Sequence, residues 1–64
     1  MSQDERFREI KKLLGQLDDL NQERRRLFTD WATQRMEPGP FGVQMKANAA
    51  ATRKLAARME TLIG

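Results

Sequence analysis

The side chains that ordinarily carry chemistry are almost missing from this sequence. It has no cysteine and no histidine, which removes thiolate nucleophiles, imidazole bases and the usual ligands of zinc. Tyrosine is absent too, and Ser2 is the single serine. No glycine-rich phosphate loop is present. Nine carboxylates remain, but they are scattered along polar stretches with no partner that would make one of them an acid or a nucleophile. A 64-residue chain also has little room for a cleft that excludes water. The chain is therefore read as non-enzymatic, with no catalytic, cofactor-binding or metal-binding residues expected.

Two groups of residues can still do recognition chemistry. The first is basic. Arg24, Arg25 and Arg26 form the densest cluster, able in principle to clamp a phosphate or a carboxylate. Three consecutive helical residues spread over about 200° of circumference, so the run alone makes a solvated, partly paired face rather than one patch. Lys46, Arg53, Lys54 and Arg58 lie against Glu60 alone in residues 38–64, whereas residues 1–37 carry eight acids and eight bases. The net charge of +3 thus sits wholly in the second half. The second group is aromatic. Phe28, Trp31 and Phe41 gather near one point of the chain, flanked by Arg24, Arg25 and Arg35. Trp and Arg are enriched among interface hot spots, so these six residues are the candidate protein-binding set. The alternative is that Trp31 merely caps a small core.

The elements that must position these groups are helices. Glu37-Pro38-Gly39-Pro40-Phe41-Gly42 reads as a break, because two prolines and two glycines end a helix and build a tight connection. Ser2 with Glu5 three residues later fits a capping box. The pattern predicts helix one over about 3–36, a turn over 37–42 and helix two over about 43–62. Few β-branched residues and no sustained alternation argue against strands. In helix one, Phe7, Ile10, Leu14, Leu17, Asn21, Arg24, Phe28 and Trp31 repeat at 3-4 spacing, the a and d positions of a heptad. Leu13, Leu20 and Leu27 fall at g and widen the stripe to a width that suits a bundle. Asn21 and Arg24 interrupt it. An Asn there can fix register; equally, helical drift can carry both residues to the rim while Leu20 and Leu27 point inward. Gly15 marks a close crossing, a bend or nothing at all. On helix two, Met45, Thr52, Leu55, Met59 and Leu62 share a face, with Ala49, Ala56 and Ile63 beside them.

The expected fold is an all-α antiparallel two-helix hairpin forming one domain over residues 1–64. With about 34 residues in helix one and about 20 in helix two, the first would span roughly 50 Å and the second roughly 30 Å. Val43 would then lie near Met36 and Ile63 near Gln16. Phe7, Ile10, Leu13, Leu14 and Leu17 form the expected dimer interface, because most of them would have no cover within the chain. A second copy would complete a four-helix bundle.

The mean hydropathy of −0.76 and the absence of a long apolar run predict no membrane span, and the charged start from Asp4 lacks a signal-peptide core. A cytoplasmic protein is expected. The favoured function is a small protein-binding inhibitor or regulator. In size and helical build it resembles phage- and plasmid-encoded proteins that bind a bacterial regulator or enzyme and occlude its working surface. The alternative is a dimeric nucleic-acid-binding hairpin using Lys46, Arg53, Lys54 and Arg58. For that reading, the size and architecture resemble the RNA-binding hairpin dimers that set plasmid copy number, a likeness of shape without a shared motif.

Overall fold

The computed structural model describes residues 2–64. Two helices, α1 (Gln3–Ala32) and α2 (Pro38–Ile63), pack against each other as an antiparallel hairpin. Helix α1 begins where the sequence predicts. The Ser2 hydroxyl accepts a hydrogen bond from the Glu5 amide at 3.2 Å, and Asp4 and Glu5 place negative charge at the positive end of the helix.

The turn corrects the expected boundaries. Helix α1 stops at Ala32, not near Met36, and the connection is residues 33–37. Thr33 closes the helix, its hydroxyl donating to the Thr29 carbonyl at 2.7 Å. Gln34 then adopts a left-handed conformation with φ 61°. Its amide donates to Trp31 O at 3.1 Å, and the Arg35 amide donates to Asp30 O at 2.8 Å. This pair of bonds is a Schellman motif with glutamine in the place usually held by glycine. The Pro-Gly-Pro-Phe-Gly segment, expected to be the turn, is instead the first turn of α2. Amides in a first turn have no helical acceptor, so Pro38 and Pro40 forfeit nothing there, and proline is favoured at the opening position.

This earlier start lengthens α2 to 26 residues against 30 in α1, about 39 Å against about 45 Å. The expected long overhang therefore disappears. Arg58 reaches Glu9 at 3.8 Å, which sets Ile63 near the first turns of α1 rather than near Gln16. Leu13 and Leu62 are buried within the hairpin. Of the five residues expected at the dimer interface, Leu13 is thus covered by the chain itself, Ile10 and Leu17 are half-covered, and Phe7 and Leu14 stay exposed.

The seam uses the d and g positions of α1, not a and d. Ile10, Leu13, Leu17, Leu20, Arg24 and Leu27 are buried or half-buried, whereas the a positions Phe7, Leu14, Asn21 and Phe28 are all exposed. On α2 the facing row is Phe41, Met45, Asn48, Thr52, Leu55, Met59 and Leu62, again at alternating spacings of four and three. Gly15 marks no crossing, since a Cβ there would meet nothing within 4 Å.

Candidate protein-docking surface at the turn

Three elements bring the aromatic residues together: the last turn of α1, the Schellman reversal and the proline-opened first turn of α2. Phe41 folds back onto α1. Its ring stacks on Trp31 with centroids 5.1 Å apart and planes 15° from parallel. It also meets Phe28 edge-on at 5.6 Å and 64°. Both are favoured aromatic geometries. Phe41 itself is half-buried, and Trp31 and Phe28 remain 46% and 48% exposed. The result is a preformed apolar end-face. Beside it runs a shallow groove lined by Trp31, Ala32, Gln34, Met36, Glu37 and Pro38.

The arginines expected around this cluster divide. Arg25 and Arg35 are exposed. Arg24 turns into the seam, where Nε donates to Asn48 Oδ1 at 3.0 Å and Nη2 to Thr52 Oγ1 at 3.4 Å. Asn48 Nδ2 donates to the Leu20 carbonyl at 2.8 Å, and Thr52 Oγ1 donates to the Asn48 carbonyl at 2.9 Å. Arg24 is therefore a structural bridge between the helices, and the flank of the aromatic face is left to Arg25 and Arg35. Asn48 is the residue that sequence reasoning missed. It is only 3% exposed and is the sole buried polar residue among those described. The signal was present: Asn48 fills the gap in the Met45–Thr52–Leu55 row. No buried polar side-chain atom among the described residues is left without a partner, so the polar layer is a complete one.

The four basic residues of the nucleic-acid alternative are all exposed but do not share a face. Arg58 pairs with Glu9. Lys54 borders a groove with Gln16, Asp19 and Glu23 of α1, so acidic residues lie next to it. Lys46 and Arg53 lie on the other edge of α2. A phosphate backbone would have to pass the carboxylates of α1 to touch all four.

Among the described residues there is no group of three or more potential metal ligands, and no helix is long and apolar enough to cross a membrane. Comparison with protein-family models, with curated proteins and with solved structures finds no match for the chain.

Proposed function

We propose that this chain is a cytoplasmic, non-enzymatic protein-binding module that works as a homodimeric four-helix bundle and docks a protein target through its turn end. The observation that carries the reading is the Phe28–Trp31–Phe41 cluster, in which Phe41 stacks on Trp31 and meets Phe28 edge-on while Trp31 and Phe28 stay about half exposed. A surface held rigid before binding loses little side-chain entropy on docking. Arg25 and Arg35 add charge at the edge of an aromatic centre, the arrangement common in interface hot spots. Dimerisation is supported by Phe7, Leu14 and Ile63, which stay 64%, 51% and 67% exposed. The role is occlusion: the bundle covers a working surface of a bacterial regulator or enzyme, in the manner of small phage- and plasmid-encoded inhibitors.

The test compares wild type with Trp31→Ala in affinity capture from the native host, followed by titration of the captured protein. Losing a hot-spot Trp costs about 2 kcal/mol or more, about 30-fold in Kd, while the variant keeps its helicity and assembly. Iodide should quench Trp31 in the free protein, and bound target should protect it. Equal capture by Trp31→Ala overturns the reading.

A further inference from the structure

The hairpin has two unlike broad faces. Glu9 pairs with Arg58, and Gln16, Asp19 and Glu23 share a groove with Ala51 and Lys54. Those flanks of α1 and α2 form one charged face. The opposite flanks carry heptad rows of a different kind. On α1 the row is Phe7, Leu14, Asn21 and Phe28; on α2 it is Gly42, Ala49, Ala56 and Ile63. The antiparallel register, set by Trp31 against Phe41 and by Arg24 against Asn48, aligns them in four layers: Phe7 with Ile63, Leu14 with Ala56, Asn21 with Ala49, and Phe28 with Gly42. No charged side chain interrupts these rows. The hairpin measures 48 Å by 15 Å across its broad face, about 700 Å², close to the roughly 800 Å² per partner of a standard interface.

Resting on the dimeric reading above, we infer that a second copy of this chain covers this face with its two-fold axis parallel to the helices, so that both turns lie at the same end of the bundle. Two observations choose this arrangement over its inverted alternative. The first is shape. With the axis parallel, α1 of one copy faces α2 of the other in register, so Leu14 meets the partner's Ala56 and Phe28 meets the partner's Gly42. In those two layers large side chains fill the space over small ones, as close packing requires, and Phe7 meets the partner's Ile63 at the end of the bundle away from the turns. Inverting the partner sets α1 on α1 and α2 on α2, which puts Phe7 against Phe28, Leu14 against Asn21 and Ala49 against Ala56, with Gly42 against Ile63 as its one large-over-small pair.

The second is charge at the rim. One helical turn beyond the apolar rows stand Lys11, Asp18 and Arg25 on α1, and Lys46, Arg53 and Glu60 on α2. The parallel axis sets Lys11 against the partner's Glu60 and Asp18 against the partner's Arg53. The remaining pair, Arg25 with the partner's Lys46, repels. The inverted arrangement sets Asp18 on Asp18, Arg53 on Arg53 and Lys11 on Arg25, leaving Lys46 with Glu60 as its one attraction. Opposite charges that meet only in the correct partner arrangement specify that arrangement. Asn21 then shares a layer with its own counterpart, a polar position suited to fixing register. The consequence for function is a paired docking surface: Phe28 turns into the dimer seam, and two stacked Trp31–Phe41 faces with a surplus of positive charge lie side by side at one end.

The chain has no cysteine, so a single one can report the geometry. Glu37 is exposed and makes no side-chain capping bond. A nitroxide on Glu37→Cys, measured by pulsed electron spin resonance, should give a label-to-label distance of roughly 25 Å or less, given helix spacings of 8–10 Å. A distance near the 48 Å length of the body means an inverted dimer. That result overturns this inference and leaves the dimeric reading intact. Sedimentation of unlabelled wild type as a monomer at high micromolar concentration overturns both. Charge reversal supplies an independent arm. Asp18→Lys should weaken assembly several-fold, and adding Arg53→Asp in the same chain should restore it, which the inverted pairing forbids. Leu14→Asp should weaken assembly at least tenfold, with Gln16→Arg on the charged face as the silent control. An unaffected Leu14→Asp dimer refutes the assigned face.

Discussion

Replacing Asn48 with alanine should be among the most damaging single changes in this hairpin. The side chain is 3% exposed and makes two bonds that no other group can supply, to Arg24 Nε and to the Leu20 carbonyl. A neutral hydrogen bond contributes about 0.5–1.5 kcal/mol net, and one to a charged partner about 1.5–3. The Leu20 carbonyl keeps its helical bond, and half-buried Arg24 can turn partly to water, so the lower halves of these ranges apply. Alanine returns roughly 0.6 kcal/mol of helix propensity. The expected net loss is about 1.5–2.5 kcal/mol, a fall in Tm of about 6–20 °C for a domain of this size. Far-UV circular dichroism during heating, at matched protomer concentration because assembly is coupled to stability, measures it. Asn48→Leu provides the contrast: it restores volume but strands Arg24 against an apolar residue, and should also be destabilised. A Tm of Asn48→Ala within 2 °C of wild type would show that the polar layer contributes nothing to stability and refute the reasoning. Greater stability of Asn48→Leu would show that the layer serves specificity, as buried polar groups do elsewhere.

Other positions allow gains as well as losses. Gly15→Ala should stabilise by about 1 kcal/mol, because the added methyl meets nothing within 4 Å and the backbone entropy cost of glycine is removed. Gln34→Gly should stabilise by about 0.5–1 kcal/mol by relieving a left-handed glutamine; urea unfolding midpoints read both, and a lower midpoint for either variant counts against the local geometry assigned to it. Wild type, like the combined Lys46, Arg53, Lys54 and Arg58 to Gln variant, should be released from DNA and RNA columns by modest salt if it is held at all. Retention at physiological salt that this variant abolishes would favour the nucleic-acid alternative.

The two helices, the Ser2 cap and the antiparallel hairpin were legible in the sequence, as was the gathering of Phe28, Trp31 and Phe41 at one end. The turn was misread because proline has opposite meanings inside a helix and in its opening turn. Which applies at Pro38 depends on where α1 releases the chain. That release is made by a glutamine in a conformation that sequence patterns assign to glycine. The same misplacement produced the expected overhang, and with it the wrong reason for a dimer. Arg24 falls both in the apolar stripe and in the basic cluster, and nothing local chooses between seam and surface, because its partners Asn48 and Thr52 are distant in sequence.

Local sequence decided where helices form, since capping, propensity and the 3-4 apolar repeat act within a few residues of one another. It also decided which side chains are on hand: without cysteine, histidine or tyrosine, no fold of this chain supplies a thiolate, an imidazole or a phenol. The inward face of α1 was open to two solutions, since apolar residues occupy a, d and g together. Only tertiary contact chose d and g. That choice depends on complementarity between segments 24 to 28 residues apart, where Asn48 meets Arg24 and the Leu20 carbonyl. Once those groups were satisfied inside the seam, the a positions were left outside, and the exposed row of Phe7, Leu14, Asn21 and Phe28 followed as a consequence of packing rather than of pattern.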